Sequence, residues 1–184
     1  GGITMDTQTC IQTRRSHRTF TEEAVTHQEI EKIVALAAYA PSWKNTQISR
    51  YIAIEDKAVR EEIVERFCLP GSNNPAIIRS CPVLIAQTFI KNRCGYERDG
   101  SLTTDRGEGW QYYDCGIAAQ TFCLAAHDLG LATVIMGVFD RKGLQEYLDI
   151  PQDQELMALI ALGRPADDPA APRRKDVETL LSYR

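Results

Sequence analysis

Between Trp110 and Leu129 the chain carries a run in which Gly116, Ile117, Ala118, Ala119, Phe122, Leu124 and Ala125 crowd together with few charges, and Gly130 stands just beyond its end. Alanine is the best helix former, and a glycine at that place suits the left-handed backbone that closes a helix. The run therefore predicts one long helix. A helix that is apolar nearly all round has to be buried. A chain of 184 residues hides roughly two-thirds or more of its unfolded surface as one domain, which leaves little mass to wrap such a helix. Part of it is expected to be covered by a second copy of the protein.

Around this helix the pattern alternates. Thr26 with Glu29 three positions later has capping-box spacing, and Ile30, Ile33, Val34 and Ala37 follow at helical intervals. From Arg50 to Glu55 the alternation is strand-like, and Val59 to Phe67 returns to helical spacing. Val83-Leu84-Ile85-Ala86 is a continuous apolar run typical of a strand buried on both faces. Leu131 to Met136 and Leu156 to Leu162 give two more apolar strands, with a short helix from about Asp140 to Leu148 between them. Such an order predicts an α+β fold with a mixed sheet covered on two sides. No glycine-rich dinucleotide fingerprint follows the first strand, so a Rossmann reading is weak. The polar stretch from Lys91 to Gly109, with Gly95, Gly100, Gly107 and Gly109, reads as a mobile loop. Whether it is a substrate lid or a surface insertion stays open at this level.

A net charge of -4 argues against a general nucleic-acid binder, which needs an excess of Lys and Arg to displace counterions. No apolar run reaches the roughly 20 residues that cross a bilayer, and no secretory leader is visible; a cytoplasmic protein without membrane partners is expected. Gly1-Gly2 is set aside as a tag remnant. The cysteines at positions 10, 68, 81, 94, 115 and 123 lack metal or redox-pair spacing. No metal site is expected, and scattered cysteines in such a chain read as small buried hydrophobes. Only Cys94, in its polar segment, is expected to be exposed. His17, His27 and His127 form neither a triad nor a ligand set.

Residues Arg14 to Phe20 read Arg-Arg-Ser-His-Arg-Thr-Phe. In an extended segment Arg14, Ser16 and Arg18 point to one side, where two guanidinium forks and a hydroxyl suit one dianionic phosphate. Further on stand Ala40-Pro41-Ser42-Trp43-Lys44-Asn45-Thr46-Gln47, Ile135-Met136-Gly137-Val138-Phe139-Asp140, Leu162-Gly163-Arg164-Pro165 and Pro172-Arg173-Arg174. In that order and at those spacings the set, from about Cys10 onward, resembles the nitroreductase family of FMN-dependent oxidoreductases.

The resemblance implies a central, mostly antiparallel sheet flanked by helices, in an intertwined homodimer with FMN at the subunit interface. It assigns the FMN phosphate to Arg14, Ser16 and Arg18 with Arg15 beside them, joined by Arg174 and by Arg173, which stands in for a lysine usually found at the place of Pro172. Pro41, Ser42 and Asn45 would reach the flavin ring of the neighbouring subunit, with Trp43 stacking nearby or packing at the interface. Asn73 or Asn74 would bond the pyrimidine edge. The backbone of Met136 and Gly137 would face flavin N5, so no side chain is catalytic; many relatives have glutamate where Met136 stands.

By the same resemblance, NADH or NADPH would reduce the flavin and be replaced at the same face by a small-molecule acceptor, a nitroaromatic, quinone or activated alkene. Two alternatives remain at this stage: a flavin storage or sensor protein without turnover, and a specialised enzyme that oxidises or dehalogenates a small substrate.

Overall fold

The computed structural model describes residues 5–184; Gly1-Gly2 lie outside the described residues. Helix α1, Thr7–Thr13, starts where the Asp6 carboxylate accepts the Thr9 N–H. Helix α2, His27–Ala37, carries the full capping box: Thr26 Oγ1 accepts the Glu29 N–H, and Glu29 accepts the Thr26 N–H. Its Ile30, Ile33 and Ala37 are buried, as the spacing predicts.

Strand β1, Ser49–Ile54, leads to α3, Lys57–Phe67, and α4, Asn74–Ser80. Then come β2, Val83–Ile90, α5, Gly109–Asp128, β3, Ala132–Met136, α6, Arg141–Tyr147, β4, Gln154–Gly163, and a last turn of helix, α7, Val177–Leu180. The sheet order is β1-β2-β4-β3 and every pairing is antiparallel. Among the described residues the expected mixed character shrinks to a single parallel bridge, Ser16 with Thr133.

Both faces of the sheet are covered because side chains alternate along it. Leu84 and Ala86 of β2 join Ile63, Phe67, Ile78 and Leu144 from α3, α4 and α6. Val83 and Ile85 join Ile33 of α2 and Phe122 and Ala126 of α5 on the other face. On β4, Leu156 and Leu159 share the first face although three residues apart, since a bulge opposite Gln87 and Thr88 passes over Met157.

The long helix is half buried rather than enclosed. Cys115, Ala118, Ala119, Phe122, Cys123 and Ala126 are covered, while Tyr112, Tyr113, Gly116 and Gln120 face outward. Gly130 closes the helix with φ +76°, a conformation that disfavours a side chain. Beyond Arg164 the chain runs out along the surface, and residues 170–184 are exposed throughout. Among the described residues no helix is long and apolar enough to cross a membrane.

Candidate functional site

The arginine segment is pinned along the start of β3. Ser16 bridges Thr133, and the His17 N–H donates to the Thr133 carbonyl at 3.0 Å. A residue that the sequence reasoning missed finishes the anchoring. One oxygen of Asp167 accepts the Arg18 N–H at 3.0 Å, and the other lies 2.7 Å from His17 Nδ1.

Around this backbone the charges are unbalanced. Arg15 turns back onto the Gln12 and Arg14 carbonyls, and Arg18 onto the Ser16 carbonyl. Among the described residues no carboxylate lies within ion-pair distance of the Arg14, Arg15 or Arg18 guanidiniums. Burial holds the His127 imidazole below its ordinary pKa, and Arg14 and Arg15 push the same way against the opposing charge of Asp128. That neighbourhood wants an anion.

The turn after β3 sits on the same strand. Gly137 stands four residue steps beyond Thr133, roughly 13 Å of strand. Met136 turns its side chain into the core, at 3 % exposure, whereas Gly137 is exposed and flanked by outward-facing Ile135 and Val138. A Cβ built on Gly137 would meet nothing within 4 Å, and its φ lies outside the left-handed region. Glycine is thus not needed there for backbone conformation; what it leaves is space above the turn. Asn74, not Asn73, is the buried one of that pair, and its Nδ2 donates to the Val138 carbonyl at 3.1 Å. Asn73 stands exposed beside it.

Pro41, Ser42, Trp43 and Asn45 lead into β1, the opposite edge of the sheet. Three inter-strand spacings, about 14 Å, separate the two edges. Within one chain, then, the candidate residues form two groups: Arg14–Arg18, Asn73 and Met136–Gly137 on the β3 side, and Pro41–Asn45 on the β1 side. A cavity of about 600 Å³ borders Pro41 and Ser42, with Val34, Gln47, Tyr51 and Asp114 in its walls, and reaches neither the arginines nor Gly137. Burial pushes the Tyr51 hydroxyl in that wall up to about 12. Arg173 and Arg174 lie on the exposed tail, where Arg174 bonds the Pro172 carbonyl.

One expectation about the 91–109 stretch needs revision. Cys94 is completely buried rather than exposed, donating its S–H to Asp114 in a pocket with Ile48, Phe89 and Cys115. The stretch is also folded on itself, by a bridge between Tyr96 and Leu102 and by the bond from Trp110 Nε1 to Thr104 at 2.9 Å.

Residues 11–164 match the family model described as Nitroreductase family. A Methanothermobacter thermautotrophicus protein bearing the joint name NADH dehydrogenase/NAD(P)H nitroreductase is 32% identical over 169 residues, 90% of this chain and 80% of that one. The Bacillus subtilis FMN reductase [NAD(P)H] is 29% identical over 175 residues, covering 90% of this chain and 68% of its own. A Desulfovibrio desulfuricans nitroreductase-family structure in complex with FMN superposes with a TM-score of 0.78 at 28% identity, covering 98% of this chain and 99% of that one.

Proposed function

Because the chain belongs to the nitroreductase family, we propose that it is an FMN-dependent NAD(P)H oxidoreductase that works as a homodimer. The observation that carries this reading is the shared strand: β3 holds the unpaired arginines at one end and the open Gly137 turn at the other. FMN would supply the hydride chemistry at this site, between NADH or NADPH as donor and a nitroaromatic, quinone or activated alkene as acceptor in alternating half-reactions.

This chain's residues do the holding. Arg14 and Arg18, with Ser16 between them, neutralise the phosphate through charge-assisted bonds. Asp167 does not compete for the guanidiniums, because its oxygens are committed to His17 and the Arg18 N–H. Met136 and Gly137 present main chain to the reactive edge of the ring, and the Asn74 bond to Val138 fixes that turn. Asn73 lies beside the same turn and would meet the ring's polar edge.

The other half of each site comes from the partner. Pro41, Ser42, Trp43 and Asn45 are too far along the sheet to serve their own chain's ring, so they serve the neighbour's. The outward face of α5 and the apolar side chains of the tail, Val177, Leu180, Leu181 and Tyr183, are the surfaces that association covers. Arg173 and Arg174 ride on that tail toward a phosphate. No histidine or carboxylate is asked to carry a proton at the ring itself.

Mixing the FMN-loaded protein anaerobically with NADH or NADPH tests the reading. Bleaching of the flavin, followed by recovery of its colour on adding a nitro compound or a quinone, is expected. A protein that takes up no FMN overturns the assignment, and tight FMN without bleaching supports the storage alternative instead.

A further inference from the structure

The turn from Trp43 to Gln47 is the most strained stretch of backbone in the described chain. Lys44, Asn45 and Gln47 have φ values of 45°, 53° and 49°, three non-glycine residues in the left-handed region within four positions. Lysine and glutamine seldom adopt that region, asparagine more readily, and such residues persist there only where their surroundings over-determine them. Local bonds supply part of the restraint: Asn45 N–H to the Ser42 carbonyl at 3.1 Å, Thr46 N–H to the Trp43 carbonyl at 2.9 Å, and Gln47 N–H to Ser42 Oγ at 3.2 Å.

The remaining restraint comes from elsewhere in the chain. Asp114, on α5 and only 5 % exposed, accepts the Trp43 N–H on Oδ2 at 2.9 Å. The same oxygen accepts the Cys94 S–H at 3.1 Å. Burial first, and then the Asp114 hydrogen bond and charge, push the Cys94 thiol far above its ordinary pKa, so it stays protonated and can donate. Further contacts run the same way. Trp43 lies 5.2 Å from Trp110, ring centre to ring centre, a Cβ on Gly95 would fall 3.2 Å from the Trp110 side chain, and Lys44 Nζ is 3.9 Å from Glu97.

We propose that Asp114 is a positioning residue: one buried carboxylate oxygen ties the strained 43–47 turn to the 91–109 loop, so that the loop sets the pose of the turn. Its effect on turnover rests on the reading of that turn as ring-facing. Its effect on shape does not. The loop, carrying exposed Leu102, Arg98 and Arg106, thereby becomes a specificity element: whatever an electron acceptor does to the loop is passed to the turn through the shared Asp114 oxygen, with the exposed Lys44–Glu97 pair beside it.

The chain's two tryptophans are Trp43 and Trp110, so circular dichroism from their coupled indoles reads the turn against α5 directly. Variants are compared at matched flavin content, whatever that content is. Asp114→Ala should lose the indole couplet and speed tryptic cleavage after Arg98 and Arg106 by about tenfold, the scale of one buried bond to a charged group. Asp114→Asn, which can keep an amide oxygen in the same place, should restore both. Cys94→Ala should speed the cleavage and keep the couplet, because it releases the loop but not Trp43. In turnover, Asp114→Ala should raise KM for the acceptor by about tenfold with a smaller change in kcat.

A folded Asp114→Ala protein with the wild-type couplet and cleavage rate overturns the proposal. If that variant does not fold, Cys94→Ala decides, and an unchanged cleavage rate overturns it equally. Should the wild type bind no FMN, the proposed function fails while the couplet and cleavage comparisons still judge Asp114.

Discussion

His17 and Asp167 meet with imidazole Nδ1 2.7 Å from one carboxylate oxygen while the other oxygen caps the Arg18 N–H, so one acid near the tail shapes the arginine segment near the N-terminus. Burial alone would raise the Asp167 pKa; the Arg18 N–H and the His17 ring outweigh it, and the net direction is down. A carboxyl depressed in the folded state stabilises at pH above its unfolded value, and that stabilisation is lost as pH falls through the folded value. Asp167→Asn should cost about 1 kcal/mol at neutral pH. Urea midpoints measured against pH check this: the gap to wild type should close below about pH 4.

Removing Arg14 should weaken FMN binding by about 1.5–3 kcal/mol, the scale of a hydrogen bond to a charged group. Riboflavin, which lacks the phosphate, should lose much less. Titrating both ligands into Arg14→Ala and wild type gives the comparison, and equal losses for the two would move the phosphate elsewhere.

Met136 and Gly137 should respond differently to substitution. Because the Met136 side chain is packed in the core, Met136→Ala should cost about 2–4 kcal/mol of stability, with little change in flavin reduction once folded protein is selected. Gly137→Val adds bulk over open space at an ordinary φ, so the fold should tolerate it. Anaerobic bleaching by NAD(P)H should slow tenfold or more, about 1.4 kcal/mol of barrier. Wild-type bleaching in Gly137→Val would place the reactive atom away from this turn.

Ending the chain at Ala170 should give monomers that release FMN, since it removes the exposed apolar side chains of Val177, Leu180, Leu181 and Tyr183 together with Arg173 and Arg174. The double variant Arg173→Ala/Arg174→Ala should stay dimeric and lose only part of the FMN affinity. Sedimentation velocity with flavin fluorescence followed in parallel separates the two effects.

Features written in local sequence were legible. The Thr26–Glu29 box, the Val83–Ala86 run and the Gly130 stop each depend on residues within a few positions, and each appears where the spacing puts it. Helix α4 was not foreseen: at seven residues, with Pro75 in its first turn, it shows too little periodicity to be recognised. Cys94 was misread because its burial is decided at long range, by Asp114 twenty positions away and by the pocket around Cys115. Composition around a residue says that a stretch is polar, not what folds over it. For the candidate site, the arginine cluster stood out by charge. Asp167 did not, since nothing local links it to His17, 150 positions earlier.

The strand order carries a temporal consequence. The two central strands, β2 and β4, pair Val83 with Leu162, and among the described residues β3 has no partner strand other than β4. A ribosome delivers β4 after the other three. Until it emerges, only the antiparallel β1–β2 pair can form, with one apolar strand edge waiting until the chain is nearly complete. The growing chain therefore spends that interval with its buried strand uncovered along one edge.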